Sequence, residues 1–226
     1  VSGSKPIFSY NHDRPGKWKS SEDIWIYGIF NQPWAPDFIR VSEIIHDEKQ
    51  IALAQDHYYG FEKHDYKDDF MVSNWYRFVN ILEELDSPGE WFLDRNKGLL
   101  YFWPPDKIEN SQISLTMFDE DYMVSIEGAS YVKFRGLTFG LSRRNGIRIR
   151  GGQGNVFAGC TFKNMGGMAA SIDENQKNTN AGNGLLSCDI YGMGTTGIRL
   201  GGGNRKTIEP GENFAINNHI YKCGRR

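Results

Sequence analysis

The chain has 226 residues, with 26 Lys and Arg against 28 Asp and Glu and a formal net charge of −2. That balance lacks the basic footprint of a nucleic-acid binder, and no apolar run approaches the ~18 residues of a membrane-spanning helix. The 3 cysteines include no CxxC pair, so neither a zinc site nor a disulfide framework is implied. In chain order, the opening "VSGSKPIFSY" lacks the basic-then-apolar build of a signal peptide. "DIWIYGIF" (23–30), "FIRVSEII" (38–45) and "QIALA" (50–54) then read as strands separated by Asn, Pro and Asp-Glu turns. Residues 1–70 are therefore expected to form a small β-sandwich-like segment, incomplete at its start. From 71 to 122 a connection and cap are expected. In it Phe78, Ile81, Leu82 and Leu85 share one face of a short helix, and "EWFLD" and "LLYFW" form a hairpin across "RNKG".

Beyond residue 122 glycine and asparagine take over, and the sequence repeats. "MVSI" (123–126), "GIRI" (146–149), "AASI" (169–172) and "GIRL" (197–200) align with spacings of 23, 23 and 28. A second series, "LTF" (137–139), "CTF" (160–162), "CDI" (188–190) and "NHI" (218–220), aligns with spacings of 23, 28 and 30. Two registers lengthening in near parallel describe a solenoid, in which each coil buries an apolar side that it cannot bury alone. Alternation points Val124, Ile147, Ala170 and Ile198 inward, and Ser125, Arg148, Ser171 and Arg199 outward. Regular leucines of a leucine-rich repeat are absent. The fold class expected is all-β: a right-handed parallel β-helix over 123–226, truncated at its C-terminus, preceded by the sandwich-like segment. Cys160 and Cys188 fall at one inward position of neighbouring coils, where thiols pack as small apolar groups. Asn218 in the same column is expected to bond the backbone of the adjoining coil.

The extra length of the later coils lies after the first strand, in "DENQKNTNAGNG" (173–184) and "GGGNRKTIEPGEN" (201–213). Insertions on one side of a solenoid commonly build its binding face. Asp173 and Glu174, at the start of the first insertion, are the leading candidates for catalytic carboxylates. Arg148 and Arg199 form the floor beside the insertions, and Arg205 offers a guanidinium fork to carboxylate or hydroxyl groups. Lys206 and Asn204 stand in the same loop, and His219 faces outward on the second series beside Asp189. No metal site is expected. The one hint of calcium, "GGQGN" (151–155), occurs once and lacks the aspartate of a calcium-binding glycine repeat.

The segment "NILEELDSPGEWFLDRNKGLLYFWPP" (80–105) resembles the signature that precedes the coils in bacterial right-handed β-helix carbohydrate-active enzymes. These include β-xylosidase-like and α-fucosidase-like glycoside hydrolases with an inserted β-sandwich. "GGGNRKTIEPGENFAINNHIY" (201–221) is similar to a loop of the same family, with Asn204 where relatives often carry Asp and Tyr221 where they often carry His. The resemblance implies a glycoside hydrolase acting on a plant or host polysaccharide, working outside the cytoplasm, without a cofactor and with a carbohydrate as its partner. Such hydrolysis ordinarily uses two carboxyl groups. A polysaccharide lyase on the same scaffold, with Arg or Lys as base, and a non-catalytic carbohydrate-binding fragment are the alternatives.

Overall fold

The computed structural model describes residues 6–32, 34–61, 75–173 and 182–224. The chain divides into two compact units, Val1–Ser111 and Gln112–Arg226. Neither contains an α-helix among the described residues.

In the first unit, β1 (Ile7–Ser9), β2 (Trp25–Ile29), β3 (Pro36–Ile45), β4 (Gln50–Leu53) and β5 (Trp75–Val79) form one antiparallel sheet in the order β1-β4-β3-β2-β5. The sandwich-like segment expected from the strand pattern thus takes the form of a five-stranded sheet. Ile26, Ile39, Val41, Ile51 and Leu53 fill its buried face with Trp18 and Ile24. Trp25, Tyr27, Phe38 and Arg77 share the other face by register. The short helix expected over 78–85 does not form. Pairing of β5 with β2 sets Phe78 beside Ile26, and only Leu82–Glu84 makes a single 3-10 turn. A four-residue match to helical spacing loses to an edge strand rich in aromatic residues. The hairpin does form, with β6 (Trp91–Asp94) antiparallel to β7 (Leu99–Phe102). Asn80 rivets it to the end of β5: its Oδ1 accepts from Leu93 N at 2.8 Å and its Nδ2 donates to Leu93 O at 3.2 Å.

The second unit is a parallel β-helix. Its first coil carries β8 (Tyr122–Glu127), β9 (Lys133–Arg135) and β10 (Thr138–Ser142), and its second β11 (Asn145–Arg150), β12 (Val156–Ala158) and β13 (Thr161–Met165). The third carries β14 (Ala170–Ile172), β15 (Gly184–Leu186) and β16 (Asp189–Met193), and the fourth β17 (Ile198–Leu200), β18 (Phe214–Ile216) and β19 (His219–Tyr221). Equivalent strands stack into three parallel sheets, β8-β11-β14-β17, β9-β12-β15-β18 and β10-β13-β16-β19. Both registers read from the sequence are present: Val124, Ile147, Ala170 and Ile198 form one column, and Phe139, Phe162, Ile190 and Ile220 another. The middle sheet is an addition to that reading. It brings Phe134 and Phe157 into a stack 4.5 Å apart, next to Phe139 and Phe162 at 5.0 Å. Cys160 and Cys188 lie free in this core, each 1 % exposed. Asn218 bonds the neighbouring coil as expected, accepting from Cys188 N at 2.8 Å and donating to Leu185 O at 3.2 Å.

Candidate functional site

The outward face of the first solenoid sheet follows from the strand alternation. Ser125, Arg148, Ser171 and Arg199 form one column across β8, β11, β14 and β17. Successive rungs are ~4.8 Å apart, so Arg148 and Arg199, two rungs apart, are separated by ~10 Å along the stack. Beside the column stands Glu127, paired in register with Arg150. Its Oε1 accepts from Ser125 Oγ at 2.8 Å and meets Arg148 Nη2 at 2.9 Å. Arg148 Nε reaches Ser125 Oγ at 3.3 Å, and its guanidinium lies over the Tyr122 ring at 4.7 Å. The Ser125 hydroxyl, then the Arg148 charge, hold the Glu127 carboxyl below its ordinary value. The result is a solvent-facing carboxylate kept ionised and aimed by a clamped arginine. Sequence reasoning passed over Glu127 and Tyr122. The signal for Glu127 was available, because it lies two residues after Ser125 on the same outward register.

Asp173 occupies a different environment from the solvated loop start that the sequence suggested. It is 0 % exposed and has φ of 47°. Its Oδ1 accepts from Gly151 N at 2.7 Å, and its Oδ2 accepts from Asn183 Nδ2 and Asn213 Nδ2 at 3.0 Å each. These asparagines belong to a ladder at the corner after the first sheet. Asn155 Oδ1 accepts from Val132 N, Asn183 Oδ1 from Asn155 N, and Asn213 Oδ1 from Asn183 N, at 3.0, 2.9 and 3.0 Å. Each rung thus satisfies a corner amide of the coil beside it, and Asp173 closes the ladder on its inner side. With both oxygens occupied and no surface, Asp173 braces the base of the two insertions and is closed to a substrate. Glu174 lies outside the described residues.

The remaining candidates separate into two places. Asn204 folds the second insertion: it exchanges backbone hydrogen bonds with Glu209, and its Oδ1 accepts from Lys206 N at 3.0 Å. An amide oxygen serves this turn as a carboxylate oxygen would, so the Asn-for-Asp departure noted in the sequence keeps the turn's acceptor. Gly203 is required there, because at φ of 71° an added Cβ would sit 2.5 Å from Glu209 O. Arg205 and Lys206 are exposed on this turn. His219 belongs to the third sheet instead, its Nδ1 3.4 Å from Asp189 Oδ1 and its ring stacked on Tyr221 at 4.6 Å. Tyr221 also stacks on Tyr191 at 5.1 Å. Among the described residues no cluster of three or more His, Cys, Asp and Glu is arranged to hold a metal ion.

Residues 122–225 match a family described as right handed beta helix region. The second unit is therefore a right-handed parallel β-helix. No curated protein and no solved structure matches the chain.

Proposed function

We propose that this right-handed β-helix takes a carbohydrate on the outward face of its first sheet, and that the protein is a glycoside hydrolase of plant or host polysaccharides acting outside the cytoplasm. The observation that carries the reading is the Ser125–Glu127–Arg148 cluster with Tyr122 beside it. A carboxylate held ionised suits the base or nucleophile of glycoside hydrolysis, which must not carry the proton. Arg148 and Tyr122 give hydroxyl-binding and ring-stacking surface next to it, and Arg199 extends the same column. The second carboxyl group must be a proton donor. Glu174, which lies outside the described residues, is the candidate that the sequence offers for that role. Arg205 and Lys206, exposed on the turn folded by Asn204, are proposed to bind an extended sugar chain from the insertion.

The test is release of reducing ends from a panel of neutral and acidic polysaccharides by the whole protein. Glu127→Gln is expected to lower kcat by about 10²–10⁴-fold with little change in folding. Unimpaired turnover by Glu127→Gln would sink the assignment of Glu127. Unsaturated uronate products would show elimination, and the hydrolase reading would fall with them.

A further inference from the structure

The first unit holds an open groove of ≈ 830 Å³, lined among others by Trp25, Phe38, Arg77, Trp91, Arg95 and Glu90. Its chemistry is mixed: aromatic rings alternate with fixed polar groups. Register places Trp25, Phe38 and Arg77 on the sheet face turned away from the apolar core. Phe38 is 39 % exposed and Trp91 48 %, whereas Tyr27, stacked on Phe38, is buried under the Arg77 guanidinium, 5.1 Å from its ring centre. The Asn80 rivet holds the β6 hairpin, and Trp91 with it, beside the end of β5. Trp25 Nε1 donates to Asp23 Oδ1 at 3.0 Å, and Arg95 is ion-paired to Asp23. The groove is also lined by His12, whose Nδ1 is buried without a hydrogen-bond partner among the described residues.

The solvent-open rings of Phe38 and Trp91, in a groove also lined by Arg77, the paired Arg95 and Glu90, match the two surfaces of a pyranose: an apolar face and a rim of hydroxyls. We infer that this groove is a second carbohydrate-binding site, which holds a sugar chain by stacking on Trp91 and Trp25, by hydrogen bonds donated by Arg77 and Arg95, and by hydrogen bonds that Glu90 accepts. It shares its ligand class with the reading of the solenoid face, and it works without Glu127.

The experiment is titration calorimetry of the whole protein with soluble arabinoxylan, xyloglucan, polygalacturonate and chondroitin sulfate. Glu127→Gln serves as the background, so that no ligand is consumed. At least one polysaccharide is expected to bind. Trp91→Ala on that background should weaken it by about tenfold, while Trp91→Phe, which keeps a stacking ring, stays within about threefold. Near-ultraviolet circular dichroism and the melting midpoint accompany each variant. Unchanged affinity in Trp91→Ala would overturn the groove site and leave the hydrolase reading standing. So would a Trp91→Ala variant that melts earlier but binds as before, since the ring would then be a packing element. Absence of binding by every polysaccharide also overturns it. Conversely, full turnover by Glu127→Gln with a Trp91-dependent affinity would remove the assignment of Glu127 and keep the groove.

Discussion

Three hydrogen-bond donors converge on Asp173 from chain positions 10, 22 and 40 residues away. A buried carboxylate so held resists loss of either oxygen. Asp173→Asn keeps the size and tolerates the positive φ, but it turns one acceptor into an NH₂ group that faces donors. We expect it to destabilise the protein by about 1–3 kcal/mol, seen as a lower urea midpoint at unchanged slope. Its activity should then track the folded fraction, whereas that of Glu127→Gln should fall in fully folded protein. A larger loss of activity than of folded protein in Asp173→Asn would place Asp173 in the chemistry. The sequence put Asp173 at the right strand end but gave no sign of its burial, because its partners are spread over three successive coils at irregular distances. Asn218 was legible for the opposite reason: its role depends only on its column, and the column was readable from the spacing.

Strands of this molecule were legible in proportion to their length and repetition. Two solenoid sheets announced themselves through matched apolar positions at near-constant spacing. The middle one, built from the three-residue strands β9, β12, β15 and β18, did not, although its column of Phe134, Phe157, Leu185 and Ala215 is as regular. A three-residue strand offers one inward side chain, too little for alternation to be counted. That single side chain nevertheless matters. Phe157 is 0 % exposed and touches the rings of Phe134, Phe139 and Phe162. Phe157→Ala is expected to cost about 3–5 kcal/mol in chemical denaturation, a core-sized loss. A loss below about 1 kcal/mol would mean that the middle sheet contributes little to the stack. In the first unit the same logic failed in reverse. A few apolar residues at helical spacing around Phe78 suggested a helix, and cross-strand pairing with β2 decided otherwise.

At the scale of the whole solenoid, stability is a sum over neighbouring coils, so opening must begin at a rung and spread. The thiols report on this. Cys160 and Cys188 sit in adjacent coils of one core, and burial raises the Cys188 pKa above its ordinary value. Cys223, in the fourth coil, is less buried. Alkylation of native protein followed by peptide mass spectrometry should label Cys223 first. Cys160 and Cys188 should follow together, at the rate of coil opening. Independent labelling of those two would contradict a cooperative stack. The pH sign follows from the raised pKa: the folded state keeps a proton that the unfolded thiol releases. Stability is therefore constant below the ordinary thiol value and declines as pH rises from there toward the folded one. The corner where Asn155, Asn183 and Asn213 meet Asp173 has a further consequence. Its contacts clamp both ends of each detour, between Asp173 and Asn183 and between Gly201 and Asn213, whatever runs between them. Detour length is thereby uncoupled from rung geometry. The corner is a graft point: foreign segments of quite different size can be spliced in there, and recognition rewritten, while the scaffold keeps its fold.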